Sequence, residues 1–193
     1  MIAKRPLRAD AQRNRQMVLE VAETVFAAEG LAVPIDEIAR RAGLGVGTLY
    51  RHFPTKEALF EAIVRRRMER MVEDAHDLVQ ATEPGDAFFA FLARMVDGTK
   101  KDFVDALARS GVDLSTELAD ARAELRHAMG GLLERAQQAG NVREDISIAD
   151  VFALVSGVFV AIDQRGGDAA ARHHLFTVVS DGLRPRPSAS GPV

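Results

Sequence analysis

The 193-residue sequence has no cysteine, no tryptophan and a single tyrosine. Without thiols there is no disulfide framework, no thiolate nucleophile and no cysteine-ligated zinc. Long apolar runs are also missing. The most apolar window, Val151 to Ile162, is too short to span a bilayer and reads as a buried helix face. The basic start Lys4-Arg5-Pro6-Leu7-Arg8 leads into Ala9-Asp10-Ala11-Gln12-Arg13-Asn14-Arg15 and not into an apolar stretch, which argues against a signal peptide. No membrane partner is expected, and the expected location is the cytoplasm. Catalytic signatures are equally scarce. The five histidines form no His-Glu-x-x-His pattern, and neither a glycine-rich phosphate loop nor a Gly-x-Ser-x-Gly elbow occurs. His173 and His174 are neighbours in sequence, so on a helix they diverge and make a poor metal pair. No enzyme activity, metal or cofactor is expected.

What is present suits a folded soluble protein. An apolar fraction of 47% beside 27% charged residues excludes a mostly disordered or collagen-like chain. The net charge of -3 conceals an asymmetry: residues 1 to 56 carry nine Lys/Arg against six Asp/Glu, whereas the remainder is acidic. Polyanion binding, if any, therefore belongs at the front.

Apolar residues recur at helical spacing almost everywhere, which predicts an all-α fold. Val18, Ala22, Val25 and Phe26 line one face of a first helix that ends at Gly30. Pro34 opens a short helix with Asp36 and Glu37 in its first turn and Ile38 and Ala42 facing inward; Gly43 stops it. After Gly43-Leu44-Gly45 a second short helix spans about 46–52 and breaks at Phe53-Pro54-Thr55. Two short helices so closely spaced form a helix-turn-helix. Thr55 can cap a long fourth helix reaching about Val79, with Leu59, Phe60, Ile63, Val64, Met68, Met71 and Val72 as its apolar stripe. Further helices are predicted at 86–97, 100–108, 115–139, 148–164 and 168–183, with Ser147 and Asp150 set to cap the one at 148. The domain plan is a flexible basic arm at 1–12, a three-helix helix-turn-helix domain at 13–56, a larger helical domain at 57–183, and a disordered tail at 184–193.

In a helix from 46 to 52, Leu49 and Phe53 share the inward face, leaving Thr48, Arg51 and His52 to project elsewhere. Such a helix can enter a major groove with its amino end toward the bases. Val46 can touch a thymine methyl, Thr48 a base edge or phosphate, while Tyr50, His52 and Lys56 suit flanking phosphates and the amides at Thr55 and Lys56 add donors. Gly47 allows close approach. Val46-Gly47-Thr48 offers no long polar side chain, so base selection can lean on Arg51, Arg41, methyl contacts or DNA shape. Arg40 and Arg41 read equally well as solubilising charge, and Tyr50 as a partly buried residue capping the helix seam.

The ordered set Phe26-x-x-x-Gly30, Ile38-Ala39, Ala42-Gly43, Gly47-Thr48-Leu49-Tyr50-Arg51-His52-Phe53 and Lys56-Glu57-x-Leu59-Phe60 resembles the TetR family of bacterial transcriptional regulators over roughly Asn14 to Val64. The resemblance implies that Thr48, Tyr50, His52 and Lys56 touch DNA, that Val46 faces bases, and that the basic arm Lys4 to Arg15 lies against the backbone or minor groove. Two helix starts depart from the family pattern: Pro34 stands where Ser or Thr is common, and Gly45 where Ser is common. Phe91 to Gly157 is similar to the SbtR-like subgroup.

One short reading helix buries little surface, so two copies and a palindromic double-stranded operator are expected. The pairing face is expected on the last two helices, from Val151, Phe152, Val155, Ser156, Phe159, Phe176 and Val179; the other reading is a fully internal helix. The resemblance also implies a pocket for a small effector. Its candidate lining is Phe88, Phe91, Met95, Phe103, Leu107, Met129 and Leu133, a set that suits an apolar compound and equally a plain core. The functional expectation is a homodimeric, nucleoid-associated repressor released by an effector, with an activator or dual regulator of the same fold as the alternative. A purely protein-binding helical body would leave the ordered front signature unexplained.

Overall fold

The computed structural model describes residues 5–81, 83–98, 116–164 and 169–185, and among these every regular element is an α-helix. They are α1 (Arg5–Glu29), α2 (Ile35–Arg41), α3 (Val46–His52), α4 (Lys56–Ala81), α5 (Pro84–Gly98), α6 (Ala119–Gln138), α7 (Ile148–Gln164) and α8 (Ala169–Leu183). The helix expected at 100–108 lies outside the described residues. Helix α1 starts at Arg5, within the stretch read as a flexible arm. Ala9, Ala11, Gln12 and Arg13 are good helix formers, and Pro6 falls in the first turn, where it removes no helical hydrogen bond.

The described residues divide into two compact units, and the chain passes from one to the other inside α4, between Arg67 and Met68. The first unit holds α1 to α3, the front of α4 and the turn at 116–119. Its core collects Val18, Ala22 and Phe26 from α1, Ile38 and Ala39 from α2, Leu49 from α3, Leu59 and Ile63 from α4, and Leu118 from the turn. Phe26 meets Phe60 edge to face, with ring centroids 4.9 Å apart. Arg65 and Arg66 fasten the front of α4 at its polar flanks: Arg65 donates to the Glu117 carbonyl, and Arg66 pairs with Glu20 of α1 at 2.8 Å. Gly43, at a φ of +67°, turns the chain out of α2. Its N–H donates to the Arg40 carbonyl (3.1 Å) and that of Leu44 to the Ala39 carbonyl (3.0 Å), a paired closure of the helix end.

The second unit is built from the rest of α4 with α5 to α8. Its core joins Val72 and Leu78 of α4, Phe88, Phe91 and Leu92 of α5, Met129, Leu132 and Leu133 of α6, and Val151 and Val155 of α7. Gln137 donates its side-chain amide to the carbonyls of Arg143 (3.0 Å) and Ile146 (2.8 Å), which fixes the link between α6 and α7. The start of α7 is reciprocally capped: Ser147 N–H donates to the Asp150 carboxylate (2.9 Å), and Asp150 N–H to Ser147 Oγ (3.2 Å). At the other end of the chain Arg184, read as the first residue of a disordered tail, lies over the Phe89 ring at 4.4 Å. Its guanidinium gains a cation–π contact that the sequence alone does not display.

Candidate DNA-binding surface

Helix α3 begins at Gly45, whose extended backbone (φ −65°, ψ 138°) leaves the helix without a side-chain cap. The Gly45 carbonyl still accepts the N–H groups of Thr48 (2.8 Å) and Leu49 (3.2 Å), so the first turn is closed by backbone alone. Leu49 and Phe53 are buried in the first unit, while Val46 and Tyr50 are 40% and 42% exposed. One side of a seven-residue helix thus anchors it, and the opposite side, with no Cβ at Gly47, is open to a surface.

The polar residues around this open side are already engaged. Arg51 folds back along α3, donating from Nε to the Gly47 carbonyl (3.2 Å) and from Nη2 to Thr48 Oγ1 (3.3 Å), which gathers Gly47, Thr48 and Arg51 into one patch. Tyr50 donates its hydroxyl to Asp36 of α2 at 3.4 Å, and burial together with the Asp36 carboxylate pushes the phenol up. His52 is half-buried beside Phe53. Thr55 Oγ1 accepts the Ala58 N–H at 3.1 Å, capping α4 as expected and leaving its own hydroxyl proton to donate.

Lys56 is placed differently from the expectation of an outward phosphate ligand. Its ammonium donates to the Val33 carbonyl at 2.8 Å and stands over the Phe26 and Phe60 rings, and burial moves its pKa down. Two of its three N–H groups remain for another acceptor. Arg41 is likewise committed: it donates from Nε to Glu37 (2.7 Å) and from both terminal nitrogens to Glu29 of α1. Arg40 forms a two-pronged pair with Glu37, each contact 2.7 Å. These two arginines hold the Glu37 carboxyl at about 2, far below its ordinary value. Asp36, Glu37 and Glu29 are the participants that sequence reasoning missed. The three- and four-residue spacing of Glu37 from Arg40 and Arg41 carries that signal; the Glu29 contact, made across two helices, carries none.

The sequence profile of the SbtR-like transcriptional regulator C-terminal domain matches residues 83–185, and that of bacterial regulatory proteins of the tetR family matches residues 18–63. The chain belongs to the TetR family. Similar solved structures include a TetR transcription regulatory protein from Mycobacterium vanbaalenii, 46% identical over 93% of this chain and 100% of that one with a TM-score of 0.73. Another is a TetR transcriptional regulator from Streptomyces coelicolor, 36% identical over 90% and 99% with a TM-score of 0.69. An HTH-type transcriptional regulator from Staphylococcus aureus is 39% identical over 64 residues, so this TetR-family chain matches 35% of that relative's length. TetR-family proteins are generally DNA-binding transcriptional regulators and not enzymes.

In this TetR-family chain the candidate effector residues Phe88, Phe91, Met95, Met129 and Leu133 are all buried in the core of the second unit, and Phe103 and Leu107 lie outside the described residues. An open groove of about 520 Å³ in the same unit is lined by other residues, among them His76, Val79, Arg126, His127, Glu134 and Ile148. The expected pairing residues also divide. Val151 and Val155 are spent on the unit's own core, a correction to their reading as surface, because they sit on the inward row of α7 with Val158 and Ile162. Phe152, Phe159, Phe176 and Val179 are half-buried against that core, and Ser156 is exposed. The outward apolar residues of α7 and α8 are instead Leu154, Val160 and Val178, at 40%, 59% and 53% exposure. Among the described residues no helix is long and apolar enough to cross a membrane.

Proposed function

We propose that the protein is a homodimeric transcriptional repressor of the cytoplasm and nucleoid, which grips a palindromic double-stranded operator with two copies of α3 and is released by a small apolar effector. The observation carrying this reading is the division of α3: Leu49 and Phe53 lock it to the first unit while Val46, Tyr50 and the Gly47-Thr48-Arg51 patch face outward. A helix seated this way offers its amino end to base edges and its flanks to phosphates. The exposed Leu154, Val160 and Val178 on the last two helices support pairing with a second copy, since large apolar residues left in water favour a contact that covers them. The aromatic and methionine content around Phe88, Phe91, Met95 and Met129 supports an apolar effector, which acts by binding one state of the protein better than the other.

Fluorescence anisotropy with duplex DNA from upstream of the protein's own gene tests the reading. Wild type is expected to bind with an affinity that falls as salt rises, and a Tyr50→Ala/Arg51→Ala double variant to bind about tenfold or more weakly, since a lost base or phosphate contact costs about 1–3 kcal/mol. Equal and salt-independent binding by the two proteins overturns it.

A further inference from the structure

Two arginines beside the reading helix are neutralised from within. Arg40 presents Nε and Nη2 to the two carboxylate oxygens of Glu37, each at 2.7 Å, and Arg41 adds its Nε to the same carboxylate at 2.7 Å while its remaining nitrogens hold Glu29. The paired fork that a guanidinium makes with a carboxylate is also the fork it makes with a phosphate. The neighbouring Asp36, on the same helix, accepts the hydroxyl of Tyr50, an exposed residue of α3. Asp36 of α2 therefore adjoins the outward side of α3, and Glu37 is the next residue along the same short helix. As a stability device the Glu37 pairing is weak, because exposed ion pairs on one helix are screened by water and cost side-chain freedom to hold.

We propose that Glu37 is a built-in substitute for phosphate that holds the charge of Arg40 and Arg41 in reserve and so lowers affinity for duplex of arbitrary sequence. The inference rests on the DNA-binding reading above. Binding to arbitrary sequence is almost wholly electrostatic, whereas operator binding adds base contacts. Withholding two cations thus takes more from the first than from the second, and the operator gains in relative terms. In the wild type both charges stay on their carboxylates; once Glu37 is removed, Arg40, with a side chain 72% exposed, is the cation released to DNA, whereas Arg41, at 34%, is still held by Glu29.

The test is a salt titration of full-length protein against a random-sequence duplex of about 30 base pairs. Glu37→Gln is expected to bind on the order of tenfold more tightly at low salt, with a log–log salt slope steeper by about 1 to 2, since each recruited phosphate adds about 0.9. Glu37→Asp, which keeps the charge, stays near wild type. Arg40→Gln alters an exposed side chain and is expected to leave the slope unchanged, because that charge is not in use. A helical Glu37→Gln protein with the wild-type slope overturns the proposal, as does an Arg40→Gln slope shallower by about 1, and the latter decides even where Glu37→Gln does not fold. Wild type that binds neither random nor upstream duplex at low salt removes the DNA-binding reading and this inference with it; wild type that binds, beside an unchanged Glu37→Gln slope, removes this inference alone.

Discussion

At the residue scale, α3 is held by very few side chains, and its anchor and its cap make opposite predictions. Leu49 is fully buried, so Leu49→Ala is expected to cost about 2–5 kcal/mol, read as a lowered midpoint in urea unfolding, and to abolish duplex binding together with the helix. Gly45 already has the backbone of a capping residue, and a Cβ there meets only Thr48 Oγ1, at 4.0 Å. Gly45→Ser therefore adds a cap without a clash and is expected to stabilise by a few tenths of a kcal/mol, about 1 °C in melting temperature. The Glu37 pairs carry a pH signature. Because the folded carboxyl sits at about 2 against an ordinary 4.5, the pairing contributes fully above 4.5 and is lost as pH falls toward 2. The gap in melting temperature between wild type and Glu37→Gln is expected to be constant near neutrality and to close below 4.5.

At the scale of elements, the sequence is most legible where periodicity and caps agree. The bounds expected for the helices around 46–52, 148–164 and 168–183 fall within about one residue of α3, α7 and α8, and the Ser147–Asp150 cap forms as its spacing implies. Legibility fails where two faces of one helix are both apolar. In α7 the inward row Val151, Val155, Val158 and Ile162 and the exposed Leu154 and Val160 are equally apolar in sequence, and only the neighbouring helices determine which are covered. The same limit applies to Lys56. Its lysine chemistry suits a phosphate, yet the carbonyl of Val33, twenty-three positions earlier, accepts from the ammonium. If the side of α7 that carries Val160 meets a second copy, a charge placed on it separates the pair. Val160→Glu is expected to shift the protein from dimer to monomer in sedimentation velocity with its helical circular dichroism intact, because the side chain is 59% exposed and leaves the core untouched.

For the whole molecule, charge and chain course are organised along the same lines. The excess of cations lies in the first 56 residues and the acidic excess in the rest, so the front carries any attraction to nucleic acid. Helix α4, twenty-six residues and about 39 Å long, belongs to both compact units. The chain also holds one phenol and no indole, and that phenol, Tyr50, stands on the outward side of α3 with its hydroxyl donating to Asp36. Ultraviolet excitation at wavelengths beyond the phenylalanine absorption therefore reports on this one side chain. A duplex that draws the hydroxyl away from its carboxylate acceptor registers directly as a change in intrinsic emission, giving this regulator a native optical gauge of occupancy.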